Sequence, residues 1–239
     1  MAKMSEAAML EKLKRFDTPS ITNVVATYPS EPLCLGLYEP WREKWYTDQS
    51  VHCIYPELGR TVGYAVTVVY CLPNPAFKRL SFMDLIDAFE KSKKPIILVL
   101  KQDFPPEIQG KVGLCGGQMT ATFKACGAVG VVTNGPSRDV DEIRPLKFQY
   151  LMSGVTPGHG EMAISAINVP VSVAGMDVIP GDIIHMDENG ACKFPADRLA
   201  DVCNNIEPFL KMEEDRSKAL STAKNFADIK DVISGKKKK

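Results

Sequence analysis

The run Val129, Gly130, Val131, Val132, Thr133 stops at Asn134, Gly135 and Pro136. A continuous apolar run of β-favouring residues that ends in a turn sequence reads as a buried strand finishing at a tight turn. Upstream, residues 116–125 read as a helix entered through glycines, and residues 95–100 as another continuous apolar strand. A helix followed by a strand fits the spacing between Gly117 and Arg138, and such a unit returns the chain to the edge it left. Two loops, one at each junction, are therefore expected on the same side of a sheet. That constraint limits the fold more than any other feature of the chain.

The remaining pattern is consistent with it. Residues 5–16 place Ala7, Ala8, Leu10, Leu13 and Phe16 at helical spacing. Asp17, Thr18, Pro19 and Ser20 stop that helix and offer a cap for a second one over 21–26. Residues 28–60 hold Trp41 and Trp45 and no regular periodicity; so long an irregular segment is expected to lie over a surface or to reach a neighbouring subunit. Further strands are expected at 60–71, near 149–152 and near 169–173, and a helix at 81–91. Residues 182–194 read as a hairpin turning at Asp187, Glu188, Asn189 and Gly190. The C-terminal part reads as helix in two stretches, 195–212 and 213–221. Short strands with interspersed helices point to α/β or α+β layers. No Gly/Ser-rich or Pro-rich linker interrupts the chain, so a single domain over 1–239 is expected.

Composition removes several classes of function. The formal net charge is zero, which disfavours a broad basic surface for nucleic acid. The four lysines at 236–239 read as a solvated tail. Seven cysteines (34, 53, 71, 115, 126, 192 and 203) form an odd, scattered set without a C-x-x-C pair, so neither a zinc site nor a redox motif is expected. Cys71, after Val68, Val69 and Tyr70, reads as a buried small hydrophobe. Such cysteine usage suits a reducing cytosol, and a cytoplasmic location is expected. Neither a signal-type apolar segment nor a run of 18 apolar residues is present, so no membrane association is expected.

The chemistry concentrates at the two junctions. Gly113, Gly116, Gly117 and Gln118 form a helix entry where backbone amides can approach an anion. Arg138 is a bidentate clamp for carboxylates, and Asp139 is a hard oxygen ligand for Mg²⁺. Taken alone, a glycine pair at a helix entry more commonly serves packing, and an adjacent Arg-Asp more commonly starts a surface helix. His159, between glycines in a loop, is a possible acid/base group, with an exposed loop histidine as the plainer reading. His185 alternates with apolar residues and reads as structural.

The segment 127–143, with Asn134-Gly-Pro-Ser-Arg138-Asp139 at its centre, closely resembles the RraA-like family of ribonuclease regulators and class II pyruvate aldolases. Gly63, Ala65 and Thr67 match its early strand. Gly116, Gly117, Gln118 and Met119 fall at its helix-entry loop. Gly154, Val155, Thr156 and Pro157, and then Pro180, Gly181 and Asp182 with the hairpin, match its later turn and hairpin. The resemblance covers roughly 60–215, with an N-terminal extension over 1–59, a poor match at 28–60, and a helical tail from 213.

What the resemblance implies is an α/β/β sandwich of the swivelling β/β/α type, assembled as a homotrimer or hexamer with sites between subunits. It implies that Arg138 binds substrate and stabilises enolate charge. Asp139 would ligate Mg²⁺ or Mn²⁺, and the amides of Gln118 and Met119 would hold the carboxylate of a 2-oxo acid. Glu213 or Glu214 of a neighbouring subunit would reach the metal through water. The aldolase signature carries an Asp where this chain has Gly117. Aldol cleavage needs a base for the C4 hydroxyl proton, whereas decarboxylation of a 2-oxo acid does not. Asp103, Gln118 and Glu142 are the side chains that could partly substitute.

The leading expectation is a divalent-metal-dependent lyase acting on a 2-oxo (di)carboxylic acid through a pyruvate enolate. The alternatives are a non-catalytic regulator docking on a ribonuclease or helicase, and a related lyase or isomerase with another substrate. Methyl transfer is disfavoured because no glycine-rich nucleotide loop follows an early strand.

Overall fold

The computed structural model describes residues 4–28 and 31–235. The lysines at 236–239 lie outside the described residues. Ser5 caps α1 (Glu6–Leu13) and Asp17 caps α2 (Thr18–Val25), each side chain accepting from an amide three residues on. Then come β1 (His52–Cys53), β2 (Thr61–Cys71), α3 (Phe82–Lys91), β3 (Ile96–Asp103), α4 (Pro106–Gln109), α5 (Gly117–Ala125), β4 (Ala128–Thr133) and α6 (Val140–Ile143). The second half holds β5 (Gln149–Met152), β6 (Ala163–Ile167), β7 (Val171–Val173), β8 (Met176–Val178), β9 (Ile183–Asp187), β10 (Gly190–Phe194), α7 (Leu199–Ser221) and α8 (Phe226–Ile233).

One sheet runs in the order β1-β5-β4-β3-β2-β9-β10. β2, β3, β4 and β5 are parallel, so their C-terminal ends share one edge. β2 is long enough to pair twice on its other side. Its first half, Thr61 to Tyr64, lies against β9, and its second half, Val68 to Cys71, against β6.

Strand alternation sorts the core onto two faces. On one face Val66, Val68, Leu98, Leu100 and Val131 meet Leu85 and Phe89 of α3 and Phe123 of α5. On the other, Ala65, Ile97, Val99 and Val132 meet Val171, Val173, Met176 and Val178 of the β7–β8 ribbon. Helices thus cover one face and a two-stranded ribbon the other, giving an α/β/β layering. A third apolar cluster joins α1, α2 and α7 to the β9–β10 hairpin through Ile183, Cys192 and Phe194. Burying each of these larger side chains contributes about 1.5–3 kcal/mol.

Several elements differ from the sequence reading. β1, α4, β6, β8 and α8 are not foreseen from the sequence, and β3 runs three residues further. α7 is one helix, not two. Pro208 removes one hydrogen bond inside it. Buried Val202, Ile206 and Phe209 hold the helix to the core, and the i,i+4 pairs Lys211–Asp215 and Glu214–Lys218 span the expected break. Cys71 is half-buried, because it stands at the last position of β2. The irregular segment lies against the molecule's own sheet. The amide of Thr47 donates to Ala191, the amide of Lys193 donates to Trp45, and Trp45 is buried and stacked on Tyr38. This run covers the β10 edge that would otherwise stand unpaired, while Trp41 is exposed.

Candidate active site

Both junctions fall on the C-terminal edge of the parallel strands, where open α/β sheets bind ligands. β4 ends at Thr133, and Asn134 then continues the ladder with its side chain. Its Oδ1 accepts from the amide of Gln102 at 2.7 Å, and its Nδ2 donates to the Gln102 carbonyl at 3.0 Å. The next residue must be glycine, since a Cβ on Gly135 would overlap the Gln102 side chain. The segment beyond is tied to the 153–156 loop: Ser137 donates its amide to Gly154, and Thr156 donates to Ser137. Arg138 and Asp139 are thereby presented on a fixed backbone.

The glycine loop is laid directly on that segment. Gly113 donates to Gly158 and Leu114 to Pro136. Cys115 turns the chain with φ 57°, in the left-handed region, and Asp139 has φ 59°. Two non-glycine residues in this region, one at each junction, are strained by about 1–3 kcal/mol each. A buried hydroxyl cluster offsets the first. Ser137 Oγ and Tyr150 Oη donate to the Cys115 carbonyl at 3.0 and 2.8 Å, and Thr120 Oγ1 lies 3.0 Å from the same oxygen. Burial pushes the Cys115 thiol and the Tyr150 hydroxyl up, so both stay protonated.

The result is a direct contact between the two junctions. Gly117 donates its amide to Oδ2 of Asp139 at 3.0 Å, and Arg138 Nε approaches the same oxygen at 3.2 Å. Gly116 is required here, because a Cβ would overlap Asp139 Oδ2 and press on the Arg138 side chain. Above Gly117, the space a Cβ would take is filled by Oε2 of Glu142. Of the three side chains expected to stand in for a carboxylate at 117, Glu142 is therefore the one in place. Asp103 pairs instead with Lys101 at the end of β3.

Several donors and acceptors remain unspent. The α5 cap, Gly116, has no side chain to offer, and the amides of Gln118 and Met119 find no acceptor among the described residues. Both terminal nitrogens of Arg138 are likewise without a partner there, as is Oδ1 of Asp139, although each side chain is about two-thirds buried. The site thus offers an amide edge, a positive helix end, a half-free guanidinium and a half-free carboxylate. It can hold a small carboxylate and stabilise negative charge beside it.

The other residues singled out from the sequence lie elsewhere. His159 is exposed, with Nδ1 3.3 Å from the Gly160 carbonyl, and is not brought to Asp139. Glu214 pairs with Lys218 on α7. Glu213 is half-buried near Asp17 and Glu31, and burial raises its carboxyl. No hydrogen bond or ion pair joins either glutamate to Arg138 or Asp139 within the chain. Among the described residues no three His, Cys, Asp or Glu side chains gather around one point. Sequence reasoning missed the hydroxyl cluster, whose members come from a loop, a helix and a strand far apart in the chain. Glu142 is among the three substitutes expected from the sequence, but which of the three stands over Gly117 is not readable there.

Beside the first turn of α5 lies a hollow of about 390 Å³, bordered by Gln118 and Met119. Among the described residues no helix is long and apolar enough to cross a membrane.

Comparison with known proteins places this architecture. The family model described as RraA-like, Aldolase/RraA, matches residues 37–192, so it starts inside the segment expected to match poorly and stops before the C-terminal helices. The chain is 26% identical over 176 residues to protein DlpA of Legionella pneumophila, covering 72% of this chain and 27% of that protein. It is 32% identical over 91 residues to the 4-hydroxy-4-methyl-2-oxoglutarate aldolase of Thermus thermophilus, covering 36% of this chain and 52% of that enzyme. The chain thus spans about a quarter to a half of the length of these relatives. Among solved structures, RraAS2 of Streptomyces coelicolor, described as an unusual member of the RNase ES inhibitor RraA family, superposes with a TM-score of 0.65 at 19% identity, covering 90% of this chain and 98% of that one. An uncharacterised protein of Pseudomonas syringae pv. tomato superposes with a TM-score of 0.71 at 17% identity, over 98% of this chain and 96% of that one. The chain belongs to the RraA-like family.

Proposed function

We propose that the protein is a carbon–carbon lyase acting on a 2-oxo acid through a pyruvate-type enolate. The observation that carries this reading is the contact of Gly117 with Asp139, which sets the free amides of Gln118 and Met119 beside Arg138. Breaking the C3–C4 bond of a 2-oxo acid leaves the electron pair on the C1–C3 fragment, as an enolate with its charge on the C2 oxygen. In this reading the two amides hold the C1 carboxylate. The unspent nitrogens of Arg138 meet the C2 oxygen, and they stabilise the charge more strongly as it develops. Helix-end and guanidinium donors held in place need little reorganisation during the step.

A divalent ion fits the donor set only in a water-rich form. Asp139 offers one free oxygen and Glu142 lies alongside, which suits Mg²⁺ or Mn²⁺ with several retained waters and not a caged zinc. When bound, such an ion polarises the 2-oxo group. Glu142, standing over Gly117, is the group that would accept a C4 hydroxyl proton in aldol cleavage. The RraA-like aldolases support a homotrimer or hexamer, with Glu213 or Glu214 reaching a neighbour's site.

The test is pyruvate release, coupled to lactate dehydrogenase, from a panel of 2-oxo acids with and without Mn²⁺. Turnover should fall about 10²–10³-fold in Arg138→Ala and in Asp139→Ala. No turnover across the panel, together with a stoichiometric partner unaffected by Asp139→Ala, would replace the lyase by a regulatory binding protein.

A further inference from the structure

Resting on that reading, we infer that the hollow beside α5 receives the far end of the substrate, and that it selects a 2-oxo acid bearing an aromatic or bulky apolar substituent. The hollow opens on the same C-terminal edge of the sheet as the two junctions. Gln118 and Met119 link them, since the residues whose amides are free also border the hollow. A carboxylate on the amide edge would therefore sit next to this space.

The walls are built rather than incidental. Leu80 is pinned to β6 by its amide on the Ile164 carbonyl at 3.1 Å, which closes one side. Phe82 packs its ring on Phe123, with centroids 5.8 Å apart, and borders the hollow. Met119 and Met162 complete the wall, both half-buried. Thioethers beside an aromatic ring adapt to a second ring and attract it at its edge. A hollow of about 390 Å³ far exceeds the remainder of a four- or five-carbon acid, and lies in the range that small-molecule sites use.

The charge pattern points the same way. Arg79 is the one cation on the lining, and it is exposed. An exposed guanidinium in water adds little to the binding of a second carboxylate. Apolar burial therefore dominates the discrimination.

The experiment is calorimetric titration of the full chain with Mn²⁺, using pyruvate, 2-oxoglutarate and phenylpyruvate. Phenylpyruvate should bind about 10- to 100-fold more tightly than pyruvate. Thr122→Trp, a half-exposed position on α5 that borders the hollow, should bring phenylpyruvate down to the affinity of pyruvate and leave pyruvate itself unchanged. If 2-oxoglutarate binds most tightly and Arg79→Ala removes that advantage, the hollow reads a second carboxylate and the inference is overturned. If pyruvate binds and phenylpyruvate gains nothing, the hollow is not a substrate site while the lyase reading stands. If none of the three binds, both fall together.

Discussion

Two places in this molecule gather polar side chains around an aspartate, and they differ in what is left over. At the meeting of α5 and β4, Asp139 accepts from Gly117 and Arg138 through one oxygen and keeps the other free. At the turn of the β9–β10 hairpin, Asp187 accepts from Thr18 on one oxygen and from Asn189 on the other. Its neighbour His185 is spent as well, with Nδ1 2.9 Å from Thr18 Oγ1 and Nε2 3.2 Å from the Leu13 carbonyl. Both residues are fully buried. Residue type alone would rank the buried His-Asp-Thr group as the more catalytic. Hydrogen-bond accounting reverses that ranking: a group with every donor used ties α1 and α2 to the sheet, whereas unspent donors at a helix start can take a ligand.

The contrast fails if removing Asp187 affects turnover more than stability. Asp187→Ala strips two backbone amides of a charged acceptor in a buried place. It should lower unfolding free energy by about 4 kcal/mol in urea titration, with the activity of the folded fraction unchanged. The converse variant is Gly116→Ala. Its Cβ displaces Asp139 and Arg138, so turnover should fall about 100-fold while the urea midpoint hardly moves.

Acidification probes the buried group through His185. Burial lowers the His185 pKa to about 4, outweighing the nearby Asp187 and Asp17, so the folded chain keeps it neutral. The unfolded chain takes up that proton near pH 6.5. The stabilisation is therefore complete above about pH 6.5 and is lost as pH falls towards about 4. It amounts to about 2 kcal/mol between pH 7 and 5. His185→Gln should flatten this dependence in urea titrations run across that window. The smallest effect concerns Glu142. Gly117→Ala pushes an exposed, flexible side chain aside, so aldol turnover should drop only a few-fold and decarboxylation should not change. Equal losses in both reactions would remove Glu142 from the proton-transfer role.

Much of the architecture was legible because it is written locally. The glycine entry to α5, the apolar run of β4 and the Asp187-to-Gly190 turn each announce themselves within a few residues. β6 was missed because Ala163 to Ile167 is short and mixes small and apolar residues, and only its pairing with β2 makes it a strand. The continuity of α7 depends on packing and ion pairs that outweigh Pro208. At the candidate site, the residue types were legible and the support was not. Ser137, Thr120 and Tyr150 converge on one carbonyl only once three separate elements have folded.

The double pairing of β2 has a consequence for how this scaffold changes over time. The half of β2 facing β9 is tied to the α1–α2–α7 cluster, and the half facing β6 borders the hollow. Leu80, Phe82 and Met162 border the hollow and also pack against the core that holds this second half, so the shape of the hollow is coupled to packing at this end of β2 and not at its far end. A lineage built on this plan would have to change the hollow and that core in step.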